Sequence, residues 1–267
     1  MDLELKGKRA LVTGGSRGIG KAIARELGRE GADVAILARD AKLLESTAAE
    51  LARETGRKVV YVVADTTSDD QVKQAFAEAA KQLGGGIDIL INAAAQPGGY
   101  GTPPKLEAMT GAFFQSEMDT KVMGYIRCAR EAAPHMKQQK WGRIINVSGL
   151  AARQSGNMVG SMRNVSVAAL SKNLADELGP SGINVTVVHP GTTRTERTAD
   201  KIRKQAAAQD ISEAAAEKNM ADGNSIKYLV DAREVAYVVT FLSSPKSIAI
   251  NGDTIAAGGG SGRAIHY

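Results

Sequence analysis

Cysteine, aromatic residues and long apolar runs are scarce in this chain of 267 residues, and each shortage excludes a class of protein. The single cysteine, Cys128, rules out an internal disulfide, and its helical apolar surroundings favour a buried thiol over a nucleophile. Aromatic residues make up only 4 % of the chain, too few for a surface that stacks single-stranded nucleic acid. No apolar run approaches the roughly 20 residues that cross a bilayer, and Met1–Glu4 does not resemble a signal peptide. We therefore expect a cytoplasmic protein with no membrane partner.

A concentrated charge of one sign is also missing. The chain has 34 Lys and Arg against 29 Asp and Glu, a net charge of +5, and its basic residues are scattered apart from a short cluster at Lys201, Arg203 and Lys204. Proteins that bind polynucleotides usually present a concentrated basic face. The pattern therefore favours a small anionic ligand and argues against nucleic acid. We also expect no metal site, because no group of His, Cys, Asp and Glu has metal-ligand spacing.

The hydrophobic pattern indicates one α/β domain over residues 1–267, long enough to bury a sizeable core. Short continuous apolar runs, typical of strands covered on both faces, alternate with longer helical patterns. We predict strands at 8–13, 33–38, 58–64, 87–92, 143–148, 183–189 and 253–257, and helices at 19–30, 40–55, 69–82, 111–138, 160–179 and 231–243. This alternation predicts a doubly wound parallel sheet of the Rossmann type with right-handed crossovers.

Two regions, 96–106 and 192–228, carry neither pattern clearly. The second is rich in Lys, Ala, Gln and Glu, and we expect it to form a mobile helical flap. Ligands of doubly wound sheets bind outside the carboxyl ends of the strands, where both regions begin. We therefore expect residues 192–228 to cover a bound substrate.

The stretch Thr13–Gly20 is glycine-rich and lies between the first predicted strand and the first predicted helix. A turn of this kind points backbone N–H groups and the positive end of a helix dipole at a phosphate. Gly14 would make the tight turn, Gly18 would admit a diphosphate, and Gly20 would let the helix pack on the strand. We expect dinucleotide binding here rather than an ordinary surface turn. The residues that we expect to contact the dinucleotide are Gly14, Ser16, Arg17, Gly18, Ile19 and Gly20.

Several motifs resemble those of the short-chain dehydrogenase/reductase family, in the family's order and spacing. They are Thr13-Gly14-x3-Gly18-Ile19-Gly20, Asp65 after the third strand, Ile91-Asn92-Ala93-Ala94, Ile144-Ile145-Asn146-Val147-Ser148, and Pro190-Gly191 followed by Thr195. The resemblance implies a nicotinamide cofactor, a carbonyl or alcohol substrate, and a homotetramer or homodimer built on helices 111–138 and 160–179. It adds these cofactor-binding residues: Asp65, Thr66, Asn92, Ala93, Pro190, Gly191 and Thr193.

The end of the second predicted strand favours NADP over NAD. A site that prefers NAD places an acid there to bond the ribose hydroxyls, whereas this strand ends in Ala38 and Arg39. Arg39 and Arg17 could flank a 2′-phosphate with charge-assisted hydrogen bonds. We expect Asp40 to be a helix N-cap rather than a ribose ligand.

The chain departs from the family at the catalytic positions. The family's tyrosine and lysine fall on Gly160 and Asn164, its supporting asparagine falls on Lys121, and only Ser148 is kept. We predict an NADP-dependent oxidoreductase with an atypical active site in which Ser148 is the one assigned catalytic residue. Two alternatives remain open: a non-redox lyase or hydratase on the same fold, and a catalytically silent nucleotide-binding or regulatory subunit.

Few side chains offer a replacement for the tyrosine. Lys121 could point inward from its helix, although we favour a solvated lysine there. Tyr100 could reach a substrate or could be a plain loop aromatic, and His189 could face the site or pack behind its strand. The side chains that could bind an anionic substrate group or the ribose are Arg153, Asn157, Arg163 and Asn164.

Overall fold

The computed structural model describes residues 1–95 and 104–262. The strands in these ranges are β1 Arg9–Thr13, β2 Asp33–Ala38, β3 Val59–Val63, β4 Ile89–Asn92, β5 Gly142–Val147, β6 Ile183–Pro190 and β7 Thr254–Ala257. The α-helices are α1 Gly18–Arg29, α2 Ala41–Thr55, α3 Asp69–Gln82, α4 Gly111–Met118, α5 Gly124–Gln139, α6 Met158–Leu178, α7 Thr198–Gln209, α8 Glu213–Asp222 and α9 Ala232–Leu242. None of the helices in these ranges combines the length and apolarity of a membrane span.

The strands form one parallel seven-stranded sheet in the order β3-β2-β1-β4-β5-β6-β7. This confirms the predicted doubly wound fold. The chain runs outward from β1 to β3 and then crosses back to β4 on the other side of β1. A crevice opens at the carboxyl ends of the strands where the winding reverses, and ligands bind there in folds of this kind.

Helices cover both faces of the sheet because each strand is apolar on both sides. Along β1, Val12 joins the core beneath α1, α2 and α9, whereas Leu11 joins the core beneath α3, α5 and α6. Ile23 of α1 and Phe76 of α3 are almost completely buried in these two cores. Burying one such side chain contributes about 1.5–3 kcal/mol, so the double-sided core holds the strand ends in a fixed arrangement.

Side-chain caps set where several helices begin. Asp40 accepts a hydrogen bond from the backbone N–H of Leu43 at 3.1 Å, which confirms that it is an N-cap. Asn157 caps α6 in the same way, because its Oδ1 accepts from the N–H of Gly160 at 2.9 Å. Each cap gives a partner to a backbone N–H group that has none within its own helix.

The predicted helix 111–138 is not continuous. A π-turn, Asp119–Met123, separates α4 from α5. A π-turn contains one extra residue, so it shifts the residues after it around the helix axis relative to an unbroken α-helix. The predicted range is helical throughout, but the π-turn changes the direction of the side chains within it and after it.

The region 192–228 contains α7 and α8, as the prediction of a helical segment requires. The two helices pack on one another through Ile202, Ala206 and Ala216. Of the other irregular region, residues 96–103 lie outside the described residues, and Leu106–Ala108 forms a short 3₁₀ turn.

Candidate active site and cofactor cleft

A cleft of about 1170 Å³ lies at the carboxyl ends of the strands. Its walls come from the turn after β1, the ends of β2 to β6, and α7. The predicted site residues that line it are Gly14, Ser16, Arg17, Gly18, Ile19, Gly20, Arg39, Asp65, Thr66, Ala93, Ser148, Pro190, Gly191 and Thr193. Residues far apart in the sequence are therefore brought to one cleft that is large enough for a dinucleotide and a small substrate.

The turn after β1 requires its glycines. Gly14 and Gly18 have φ values of +68° and +56°, in the left-handed region that favours glycine. A Cβ on Gly20 would lie 2.3 Å from the backbone oxygen of Gly14, so any side chain would push the helix off the turn. Arg17, the N-cap of α1, makes no side-chain cap, which leaves backbone N–H groups at this helix end for an anion.

An anionic group already occupies one of these N–H groups. The backbone N–H of Gly18 donates to Oε2 of Glu196 at 2.9 Å. Glu196 belongs to the region 192–228 and lines the same cleft. The contact shows that this helix end binds an oxyanion. A diphosphate that binds at the same N–H group must therefore displace the carboxylate of Glu196. Sequence reasoning missed this residue because nothing in its spacing points to the turn.

The far end of the cleft suits a phosphate better than a ribose hydroxyl pair. Arg39 follows β2, its side chain is 67 % exposed, and its Nη1 lies 3.8 Å from Oδ2 of Asp65. Arg17 is also exposed on the same cleft. Asp40, the acid nearest the end of β2, is engaged as a helix cap. Two exposed guanidinium groups, with the neighbouring acid engaged, fit a 2′-phosphate.

Asn92 is the one predicted cofactor residue that does not line the cleft. It is completely buried, and its Nδ2 donates to Oδ1 of Asn146 at 2.9 Å. Asn146 in turn donates to Oγ of Ser171 at 2.8 Å, so the chain of hydrogen bonds ties β4 and β5 to α6. The side chain of Asn92 thus braces the strand ends, and the residue after it, Ala93, forms the wall.

Ser148 follows β5 and reaches the cleft beside a buried ammonium group. Its Oγ donates to the backbone oxygen of Asn164 at 3.2 Å. Nζ of Lys121 donates to the backbone oxygen of Ser148 at 2.8 Å and to Oδ1 of Asn164 at 3.1 Å. Lys121 is only 4 % exposed, so the expectation of a solvated lysine was wrong. The π-turn that contains Lys121 directs its side chain inward, and simple helical periodicity does not reveal that turn.

The environment of Lys121 destabilises its charged form. Burial, helped by the positive charge of Arg163 and opposed by Glu117, lowers the pKa of Lys121 to about 7. Arg163 lines the cleft and forms an ion pair with Glu117. The side-chain amine of Lys121, next to Ser148, can therefore gain and lose a proton near neutral pH, whereas an ordinary lysine stays protonated.

The position to which the sequence resemblance assigns the family's tyrosine presents no phenol to Ser148. It is occupied by Gly160, whose N–H is held by the Asn157 cap, and a Cβ there would lie 2.6 Å from Nδ2 of Asn157. Tyr125 lies close to Lys121 in sequence, but its buried hydroxyl donates to the backbone oxygen of Val147 at 2.7 Å. Burial raises the pKa of Tyr125 well above its usual range, so it is a poor proton donor.

The remaining candidates are mostly engaged in the fold. His189 is buried, and its Nδ1 accepts from the N–H of Gly149 at 3.3 Å. Burial lowers the pKa of His189 to about 4, with further repulsion from Arg153 and Lys121, so the ring is neutral. Arg153 donates to Oγ1 of Thr254 at 3.0 Å and does not line the cleft. Tyr100 lies outside the described residues.

Metal coordination finds no support in residues 1–95 and 104–262, which contain no group of three or more His, Cys, Asp or Glu placed to hold an ion. The polar groups that line the cleft include backbone N–H groups, guanidinium groups, hydroxyls, a buried amine, and the carboxylates of Asp65 and Glu196. Asp65 lies near Arg39, and Glu196 accepts from the N–H of Gly18. The donor and cationic groups suit an organic anion and a substrate oxygen.

Comparison with known proteins identifies the family of the chain. The family model described as short chain dehydrogenase matches residues 8–206. Among curated relatives, the 3-oxoacyl-(acyl-carrier-protein) reductase FabG of Staphylococcus aureus is 31 % identical over 258 residues, covering 95 % of this chain and 97 % of the relative. The NADPH-dependent reductase BacG of Bacillus subtilis is 32 % identical over 263 residues, covering 96 % and 98 %.

A solved structure agrees over the whole chain. The L-sorbose reductase of Gluconobacter frateurii, complexed with NADPH and L-sorbose, superposes with a TM-score of 0.92 at 26 % identity and covers 99 % of this chain and 100 % of its own. The family match, the identities and the agreement in fold all point to one family. The chain belongs to the short-chain dehydrogenase/reductase family.

Proposed function

We propose that this protein is an NADPH-dependent reductase that converts the carbonyl group of a small polar molecule into an alcohol. One observation carries the proposal: a single cleft joins a glycine turn with open N–H groups, two exposed guanidinium groups and Ser148. The names of two similar proteins mention NADPH, which further supports a reductase. Nothing comparable favours a lyase or a silent binding subunit.

Separate parts of the cleft would hold the cofactor. Backbone N–H groups of the turn around Gly18 would bind the diphosphate once the carboxylate of Glu196 has moved away. Arg39 and Arg17 would bind the 2′-phosphate that distinguishes NADPH from NADH. When bound, NADPH supplies the hydride that reduces the carbonyl carbon.

Ser148 would act on the substrate oxygen. Its hydroxyl is half-buried, lines the cleft and now donates to a backbone oxygen, so it can redirect that hydrogen to a substrate carbonyl. A donor aimed at an oxygen on which negative charge develops lowers the barrier, and removing one such donor costs about 10²–10³-fold in rate. Ser148 therefore both orients the carbonyl and stabilises it as it is reduced.

Residues 192–228 would shape the substrate side of the cleft. Lys201, Gln205, Met220 and Gly223 come from α7, α8 and the following turn, and all line the cleft. Lys201 and Gln205 bring polar side chains to this wall, which favours a hydroxylated or otherwise polar carbonyl compound over a purely apolar one. L-Sorbose in the related structure is of this chemical kind.

The test is NADPH oxidation, followed at fixed cofactor concentration with ketoses, 3-oxoacyl thioesters and 2-oxo acids as substrates. Ser148→Ala is compared with Ser155→Ala, which changes an exposed serine that does not line the cleft. We expect the wild type to turn over at least one substrate. The turnover rate should fall by about 10²–10³-fold in Ser148→Ala and should be unchanged in Ser155→Ala. Absence of turnover with every substrate by a folded protein would refute the proposal.

The apolar side chains exposed along the paired helices support a homo-oligomer. Met158, Met162 and Val165 lie along α6, and Phe113 and Met123 lie on α4 and in the π-turn; all are 39–50 % exposed. Burying such a face against a second copy would remove it from water. Light scattering after size exclusion should give a dimer or tetramer, and Val165→Glu should shift it toward the monomer.

A further inference from the structure

We propose that Lys121 is the proton donor of the reductase and delivers a proton to the substrate oxygen that Ser148 orients. The proposal rests on the carbonyl reduction proposed above. Among the described residues, no tyrosine lines the cleft. The proposal therefore assigns protonation of the substrate oxygen to a lysine on the π-turn.

The position of the ammonium is the first support. Lys121 lines the cleft together with Ser148, and its Nζ lies 2.8 Å from the backbone oxygen of that same residue. An ammonium has three N–H groups. The oxygens of Ser148 and Asn164 account for two of them, which leaves one N–H for a substrate oxygen that binds at the Ser148 hydroxyl.

The partners of the ammonium are the second support. Both of its hydrogen-bond acceptors are neutral oxygens, and among the described residues no carboxylate bonds to it. The charged groups that face it are Arg163 on α6, which repels it, and Glu117 on α4, which is engaged by Arg163. From β6 it faces His189, which is neutral. Burial lowers the pKa of Lys121 to about 7, close to the value at which a general acid works best near neutral pH.

The third support is the pair of residue types at positions 121 and 164. The sequence has an amine at position 121 and an amide at position 164, the reverse of the arrangement that the family motifs imply. The two side chains remain in contact at 3.1 Å. The ammonium therefore enters the cleft from the helix that precedes β5 rather than from α6. Asn164 acts as a positioning residue, because its Oδ1 holds Nζ beside Ser148.

The step balances without a further reagent. As the carbonyl carbon accepts the hydride and its electron pair, NADPH is oxidised to NADP⁺ and the C=O π bond becomes a lone pair on oxygen. The oxygen takes a proton from Nζ, so an N–H bond breaks, an O–H bond forms, and Lys121 is left as a neutral amine. Water returns the proton before the next turnover.

The first experiment compares Lys121→Met with Lys172→Met, which changes an exposed lysine on α6 paired with Asp176. General acid catalysis is worth about 10²–10⁴-fold, so kcat for reduction should fall by that factor in Lys121→Met only. The Kd for NADPH, measured by fluorescence, should stay within about threefold of wild type, since among the described residues Lys121 Nζ bonds to Ser148 and Asn164.

The second experiment separates proton donation from a structural role. In Lys121→Ala, added methylammonium or ethylammonium ions can occupy the space left by the side chain and should restore part of kcat. Among amines of similar size, the restored rate should follow amine pKa, as Brønsted behaviour requires. Lys121→Arg should not restore the rate, because a guanidinium does not release its proton in this range.

A third readout does not depend on activity. Acetylation of wild-type Lys121 by acetic anhydride, followed by mass spectrometry, should show a midpoint near pH 7. A midpoint above pH 9, full activity in Lys121→Ala, or rescue that is independent of amine pKa would overturn the assignment. So would a substrate adduct on Lys121 trapped by borohydride, because it would make the residue a nucleophile. A wild-type protein that binds NADPH but reduces no substrate would instead refute the proposed reductase, and the role of Lys121 with it.

Discussion

Replacing Lys121 with methionine should remove one rising contribution to the pH dependence of stability between pH 7 and pH 10. Burial lowers the pKa of Lys121 from its ordinary value of 10.5 to about 7 in the folded protein. In the unfolded chain the side chain is in water and keeps its ordinary pKa. Between these two values the unfolded chain binds one more proton than the folded protein does. The contribution of Lys121 to the free energy of unfolding of wild type therefore rises with pH across this window.

The magnitude follows from the slope for one proton, about 1.36 kcal/mol per pH unit. From pH 7.5 to pH 9.5 the wild type should gain about 2–3 kcal/mol in stability relative to Lys121→Met. Other groups titrate alike in both proteins, so they cancel in the difference. The sign of the difference at one pH is less informative, because methionine also leaves the oxygens of Ser148 and Asn164 without their donor, at about 1–3 kcal/mol each.

The assay is urea unfolding of both proteins at pH 7.5 and pH 9.5, at equal protein concentration and without cofactor. Lys172→Met is the control, and its pH dependence should match that of wild type because the side chain is exposed and paired with Asp176. The difference in free energy of unfolding between wild type and Lys121→Met could instead be the same at both pH values. In that case folding does not lower the pKa of Lys121. That result would refute the argument that burial destabilises its charge.

Three further outcomes test the cofactor end of the cleft. Arg39→Ala should weaken NADPH binding by about tenfold or more while leaving NADH binding unchanged, since a hydrogen bond to a charged group is worth about 1.5–3 kcal/mol; equal losses for both would contradict its role. Glu196→Ala should tighten NADPH by about two- to tenfold in calorimetry, because it frees the N–H of Gly18; weaker binding would contradict the competition. Gly20→Ala should lower the free energy of unfolding by about 1–3 kcal/mol through its clash with a backbone oxygen, whereas Gly111→Ala, which meets nothing within 4 Å, should not.

The arrangement of the sheet was predictable because each strand carries its own signal. Continuous apolar runs such as residues 89–91 of β4 indicate burial on both faces, and that burial places helices on both sides of a parallel sheet. The glycine turn was predictable for a similar reason. Gly20 is required by a contact with the same short segment, so its cause lies within a few residues.

The burial of Lys121 was not predictable, because its cause lies between distant segments. A π-turn adds one residue to a helix without a distinctive composition, and the direction of Lys121 depends on it. The burial of Asn92 likewise depends on Asn146 of the next strand, which only the folded sheet brings within 2.9 Å. Pairings of this kind come from tertiary packing, so reading spacing along the chain alone does not show them.

The central claim is that the cleft binds a dinucleotide with a 2′-phosphate, and isothermal titration calorimetry of the protein with NADPH and with NADH tests it most directly. We expect NADPH to bind at least about tenfold more tightly than NADH, because the guanidinium groups of Arg39 and Arg17 gain charge-assisted hydrogen bonds only with the phosphate. Retention of neither cofactor at millimolar concentration would contradict the account.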